Sequence, residues 1–215
     1  MRTRSRYAVL IRTFTRRDGL RLPSGTAECL PMRLAALAVS TSLQAELAPL
    51  VALLVPLQRE IDGANARLAT LVAANATMHR LARVPGVGPV TAVAFVAALD
   101  TADRVDTAHE VEAYLGLVPR EKSSGERQHR GAITKAGNAR VRSLLVEAAW
   151  GVLRSRRGDT GGLRTWAAGI AARRGTGVAV VALARRLAGI LDALWRDETE
   201  YGVRRPRAAA MAVAA

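Results

Sequence analysis

Two adjacent serines, Ser123 and Ser124, stand directly before Gly125 in a strongly basic stretch of the sequence. Between residues 120 and 142, seven lysines and arginines accompany two glutamates, a formal net charge of +5. A serine hydroxyl can attack a phosphodiester if its proton leaves and if cations neutralise the charge that develops on the phosphate. The stretch therefore has the residue types for phosphoryl transfer, although spacing alone favours an ordinary serine–glycine turn on a basic surface.

The basic side chains around the serines are candidate phosphate contacts. Both lysines of the chain lie here, while arginine is the basic residue nearly everywhere else. His129 is the only imidazole of the stretch, and a lone histidine in a basic loop is more often solvated or phosphate-facing than a general base. We therefore expect any activation of the serine to come from outside this segment. The candidate contacts are Lys122, Arg127, Arg130, Lys135 and Arg140.

A glycine turn precedes this stretch, in residues 79–100 with the sequence HRLARVPGVGPVTAVAFVAALD. Gly86 and Gly88 permit backbone angles closed to other residues and bare the amides at the start of the following helix. The pattern is similar to a helix-hairpin-helix motif, whose turn grips a backbone phosphate without reading bases. Arg80 and Arg83 favour that interpretation over a plain turn between two packed helices.

Leucines and related residues recur in steps of four and three between residues 43 and 71. This is a coiled-coil seam over four heptads, which predicts either a dimerisation stalk or the core helix of a bundle. Pro49 and Pro56 predict a kink or a late start, because an interior proline costs about 3 kcal/mol. The seam positions are Leu43, Leu47, Leu50, Leu54, Leu57, Ile61, Ala64, Leu68 and Leu71.

Composition favours helices and a polyanionic partner. Aromatic residues make up only 4% of the 215-residue chain, and much of the hydrophobic half is alanine, which favours helices packed through small residues. The formal net charge of +14 points to nucleic acid before membrane. An arginine- and alanine-rich composition can also reflect a GC-rich genome.

Cys29 is the only cysteine, which excludes a disulfide or a cysteine-based metal site within one chain and makes a reducing cytoplasm the default location. The sequence does not show the charged, apolar and small-residue regions of a signal peptide in that order. It also has no apolar run long enough to span a membrane. We expect no membrane partner and no cofactor within this chain.

The predicted fold is all-α: a helical coiled-coil segment, then a helical domain with a helix-hairpin-helix-like motif and a basic serine-bearing loop. Amphipathic patterns predict helices at residues 137–157, 162–174 and 177–196, with Gly137 or Asn138 capping the first. The predicted domains are an irregular remnant at 1–40, a heptad helix at 41–76, a C-terminal domain at 77–197 and a disordered tail at 198–215.

Two segments carry a family resemblance: RVPGVGPVTAVAFVAAL, and later AYLGLVPREKSSGERQHRGAITKAGNARVRSLLVEAAW. Together they resemble the C-terminal half of the IS-one-ten family of insertion-sequence transposases, over most of residues 80–196. The resemblance implies DNA strand exchange by a serine nucleophile, a role that falls on Ser124 with Ser123 in reserve. It also implies an N-terminal RuvC-like nuclease domain with four acidic metal ligands, magnesium bound by that domain, and a structured guide RNA.

The first forty residues depart from that pattern. Their only acidic residues are Asp18 and Glu28, so we expect the nuclease half to be missing from this chain. The chain could be a truncated or decayed transposase or a separately made C-terminal piece. Two other functions remain open: a non-catalytic nucleic-acid-binding module, and a structural dimerisation remnant. In each case the heptads predict a homo-oligomer.

Overall fold

The computed structural model describes the backbone of residues 2–124, 127–155, 160 and 162–202, and it omits the side chains of residues 2, 122–124 and 127–130. The described residues are mostly helical, which confirms the predicted all-α class. A 3-10 turn, Ala102–Arg104, joins α5 to α6. The elements are α1 Arg2–Arg17, α2 Leu30–Ala35, α3 Thr41–Ala74, α4 Ala76–Ala82, α5 Pro89–Leu99, α6 Ala108–Tyr114, β1 Pro119–Ser124, β2 Arg127–Ile133, α7 Ala139–Arg154, α8 Leu163–Arg174 and α9 Thr176–Arg196.

The chain divides into two compact units, Met1–Arg67 and Leu68–Ala215. The boundary falls inside α3, whereas the sequence predicted boundaries after residues 40 and 76. Most of the predicted tail, residues 203–215, lies outside the described residues.

The first unit is built on α1, α2 and the first part of α3. Within the region predicted to be mostly irregular, a short helix or strand was expected in the segment RYAVLIRTF, and a helix, α1, is observed. Ala8, Ile11 and Thr15 recur at helical spacing and are all buried. A helical stripe of this kind is stabilised by the core that it covers. Leu30 and Leu34 of α2 join the same core.

α3 runs as one helix from Thr41 to Ala74 with both prolines inside it, so the predicted late start is wrong. The Ser40 hydroxyl accepts a hydrogen bond from the Leu43 amide (3.2 Å) and caps the first turn. The beginning of the heptad seam belongs to the core of the first unit, where Leu43, Leu47 and Leu54 are buried.

The second unit packs around α9, which contacts α4, α6, α7 and α8. Its buried face includes Leu183, Leu187 and Leu191. The predicted helices at 137–157, 162–174 and 177–196 are confirmed as α7, α8 and α9.

α9 also carries a buried carboxylate, Asp192, which is 2% exposed. Arg196, one turn later, forms an ion pair with it and donates to the Asp106 carbonyl. Burial raises the pKa of Asp192, and Arg196 opposes that shift. The pair therefore ties the end of α9 to the segment before α6.

The predicted basic loop is a two-stranded antiparallel ribbon of β1 and β2. The prediction of a loop is wrong here because the backbone of the serine segment pairs with the backbone of Arg127–Ile133. The register shifts near the foot of the ribbon, between Pro119 and Glu121. An extra residue in one strand bends a ribbon and increases its twist.

Candidate nucleic-acid interface

The foot of the ribbon is held by two interlocked glycines. Gly116 (φ +67°) and Gly137 (φ +75°) have left-handed backbones. A Cβ on Gly116 would lie 2.0 Å from the Ala136 carbonyl oxygen, and a Cβ on Gly137 would lie 1.8 Å from the Tyr114 carbonyl oxygen. Each glycine therefore allows the backbone segment before β1 to touch the segment after β2, an approach that a side chain would block.

Hydrogen bonds continue this junction. The Thr134 amide donates to the Val118 carbonyl (2.9 Å), and the Lys135 amide donates to the Gly116 carbonyl (3.1 Å). The half-buried Arg142 reaches from α7 and donates through one nitrogen to the carbonyls of Leu115 (2.9 Å) and Ala136 (3.0 Å). Arg142 thus fixes the ribbon to α7, a role that its place in the basic stretch did not reveal.

The two serines lie at the far end of the ribbon. Ser124 is the last residue of β1 and pairs with Arg127, while Ser123 pairs with Gln128. Five residue steps separate Pro119 from Ser124, which is about 17 Å of strand. The serines therefore lie at the end of the ribbon farthest from its foot, in backbone that pairs with β2.

The structure divides the predicted phosphate contacts into two groups. Lys122, Arg127 and Arg130 are in the ribbon, and their side chains lie outside the described residues, as do those of Ser123 and Ser124. Lys135 and Arg140 are exposed at the foot. The backbone thus does not bring Lys135 and Arg140 next to the serine end of the ribbon.

Exposed cations flank the start of α7. The Asn138 side chain accepts hydrogen bonds from the amides of Arg140 and Val141, both 3.1 Å. Asn138, one of the two predicted caps, is therefore the N-cap of α7. Lys135 has a left-handed backbone (φ +57°), which is uncommon for a residue with a side chain.

The glycine turn joins α4 to α5, and its two glycines differ. Gly86 (φ +81°) faces α7, where an added Cβ would lie 2.4 Å from the Ala148 carbonyl oxygen. Packing alone therefore requires glycine at this position. Gly88 is the N-cap of α5, and a Cβ there would meet nothing within 4 Å. Of the two predicted contacts, Gly88 has the open surroundings that a phosphate needs.

The two arginines before the turn have partners within the protein. Arg83 forms an ion pair with Glu200 (2.8 Å), in which both side chains are more than half exposed. Arg80 makes a long contact (3.5 Å) to the Leu194 carbonyl. Exposed ion pairs are weak, so a phosphate could displace Glu200 at little free-energy cost.

In the part of the chain that the structure describes, no three histidine, cysteine, aspartate or glutamate side chains are grouped so that they could hold a metal ion. No helix among the described residues has both the length and the apolar character needed to cross a membrane.

Comparison with known proteins shows similarity to transposases. Residues 78–161 match the family described as Transposase IS116/IS110/IS902. A probable family 20 transposase of Pseudomonas aeruginosa is 38% identical over 72% of this chain and 48% of its own length. The transposase for insertion sequence element IS1111A of Coxiella burnetii is 34% identical over 62% of this chain and 37% of its own.

The family model and both relatives are transposases, so residues 78–161, from the glycine turn through the ribbon and α7, are similar to the IS116/IS110/IS902 transposases. This match confirms the resemblance found in the sequence. The chain spans about half the length, or less, of these two relatives.

Proposed function

We propose that this chain is the part of an insertion-sequence transposase that binds DNA and supplies the serine nucleophile for strand transfer, within the cytoplasm. The observation that carries the proposal is the ribbon, whose foot is fixed between α6 and α7 by Gly116, Gly137 and Arg142. A nucleophile requires a fixed position relative to the scissile phosphate. We infer that the ribbon holds its serine at such a position, because its foot is held on both sides.

The register favours Ser124 over Ser123. Side chains alternate between the two faces of a strand, and directly opposed residues share a face. Ser124 pairs with Arg127, and Lys122 pairs with His129, so these four positions share one face of the ribbon. Positions 121, 123, 128 and 130 share the other. Among the four positions on the Ser124 face, Lys122 and Arg127 are cationic and none is acidic, which suits a phosphate.

The strand-transfer step conserves atoms and charge. The Ser124 Oγ bonds to phosphorus, the bond from phosphorus to one deoxyribose oxygen breaks, and that oxygen leaves with a proton. The serine proton passes to a base, and cations offset the charge of the transition state. Magnesium, held by acidic residues of a separate RuvC-like nuclease domain, would supply electrophilic activation.

The test uses the full chain together with a related RuvC-like nuclease half, magnesium and DNA of the element end. A covalent serine–DNA product should form with the parent chain and with Ser123→Ala, and it should be absent with Ser124→Ala. The chain without the nuclease half should bind DNA and leave it uncut. The reverse serine pattern would move the nucleophile to Ser123. Binding with no covalent product in any combination would identify a non-catalytic module.

We propose that α3 joins two copies of this chain. Its seam continues past the core of the first unit through Ile61, Leu68 and Leu71, and Leu71 is 46% exposed. A second copy would cover this apolar row as in a coiled coil. A guide RNA, as the family resemblance implies, would use the same exposed cations as DNA.

A further inference from the structure

A cavity of about 630 Å³ lies in the first unit, outside the matched region of the transposase family. It is formed by the C-terminal half of α1 and residues 21–25. Three arginines, Arg12, Arg16 and Arg21, contribute to its lining, together with Ser24. Arg12 and Arg16 are four residues apart on α1 and therefore lie on the same side of that helix.

Arg12 and Arg33 hold the wall of this cavity. Arg12 donates to the Gly25 carbonyl (2.9 Å). Arg33 of α2 donates to the carbonyls of Pro23 (2.9 Å) and Cys29 (3.2 Å). Residues 21–25 are thereby tied to both α1 and α2.

Arg16 and Arg21 have no acidic partner among the described residues. The nearest acids along the chain are engaged elsewhere: Asp18 and Glu46 pair with Arg17 at 3.3 and 2.7 Å, and Glu28 pairs with Arg4 at 3.0 Å. Both Arg16 and Arg21 are exposed. The cavity is thus a concave surface with uncompensated positive charge.

We propose that this cavity binds the phosphodiester backbone of a nucleic acid, as a second contact independent of the serine ribbon. Guanidinium groups match the geometry of phosphate oxygens through paired N–H donors. No aromatic side chain lines the cavity, so base stacking does not contribute and binding is independent of sequence. Duplex DNA and structured RNA share this backbone chemistry.

The test compares the full-length Arg16→Ala/Arg21→Ala double variant with the parent chain by fluorescence anisotropy, using a 30-base-pair DNA duplex and an RNA hairpin. Loss of two phosphate contacts should lower the slope of log affinity against log salt by about two for the duplex. The probe with the larger loss identifies the nucleic acid that this cavity holds.

The matched control, Arg6→Ala/Arg59→Ala, removes the same charge from exposed positions of α1 and α3 outside the cavity and should change the slope by less than half as much.

Equal effects of the two double variants would overturn the inference, because they would reflect total charge only. Tripolyphosphate that binds as tightly per phosphate as either nucleic acid would also overturn it, since the cavity would then be a small-anion pocket. A Lys135→Ala/Arg140→Ala variant separates this proposal from the proposed function. If that variant loses binding and the Arg16/Arg21 variant keeps it, the ribbon proposal survives and the cavity proposal fails.

Discussion

At the scale of residues, the glycines of the second unit serve mainly to bring backbones together. Gly86, Gly116 and Gly137 each have a left-handed backbone and each lie where a Cβ would meet a carbonyl oxygen of a neighbouring segment. Sequence reasoning interpreted the glycine at 86 as a phosphate contact, because a tight turn before a helix has the same local pattern in both cases. The position of α7 explains why glycine is required at 86, and the phosphate contact there stays a prediction.

Gly137→Ala should destabilise the protein far more than Gly162→Ala. The two glycines have the same φ, +75° and +76°, but only Gly137 has a backbone atom in the path of the new methyl group. Gly162→Ala should cost about 1–2 kcal/mol for the left-handed backbone. Gly137→Ala should add a steric penalty of about 1–3 kcal/mol. Urea denaturation of both variants measures the difference in the free energy of unfolding. Equal losses of stability would show that the junction shifts to accommodate the methyl group.

At the scale of elements, amphipathic helices were predictable and the ribbon was not. The apolar stripe of α7 is a local signal, and all of it is buried except Leu144, which is half-buried. Its residues are Val141, Leu144, Leu145, Ala148 and Val152. The serine segment is polar throughout and lacks the alternation that marks a strand. Its pairing depends on a junction formed between residues 114–118 and 134–138, a contact that no local pattern contains.

The α3 seam was predicted correctly as a helix. The core interpretation holds for its first part, where Leu43, Leu47 and Leu54 are buried, and the stalk is a proposal for the rest. Leu54 is 3% exposed in the core of the first unit. A Leu54→Asp change should therefore unfold that unit, since it leaves a carboxylate buried without a partner. Seam residues near the end of α3 are the appropriate positions at which to test association.

Leu71→Asp should weaken self-association while the protein stays folded. Leu71 is 46% exposed in a single chain, so an aspartate there is solvated in the monomer and desolvated in a coiled coil. We expect the dimer dissociation constant to rise at least about tenfold, or 1.4 kcal/mol. Val55→Asp is the control, because Val55 is 42% exposed on α3 but off the seam. Sedimentation velocity measures both, and similar behaviour of the two variants would reject the seam as an interface.

At the scale of the whole molecule, charge is the dominant feature. The net charge of +14 is distributed over both units, and ten arginines accompany five acidic residues in residues 1–67. Several arginines make contacts within the protein. Arg142 binds carbonyls at the foot of the ribbon, Arg33 binds a carbonyl of the cavity wall, and Arg196 pairs with Asp192. The cations left for a ligand are fewer than the total charge suggests, and they include Arg16 and Arg21 in one unit and Lys135 and Arg140 in the other.

Nucleic-acid affinity of the intact chain should fall steeply with salt. If the free cations of the two units neutralise six to ten phosphates, affinity should drop roughly a thousandfold or more between 50 and 200 mM salt. Equilibrium titration of labelled duplex DNA across that range measures the slope, and a scrambled duplex of equal length should give the same slope because phosphate contacts carry no sequence information. An affinity that is flat across the range would mean that the exposed cations do not contact phosphates. A slope near two would match the two named cations of one unit alone, and the Arg16→Ala/Arg21→Ala and Lys135→Ala/Arg140→Ala variants would then show which unit binds.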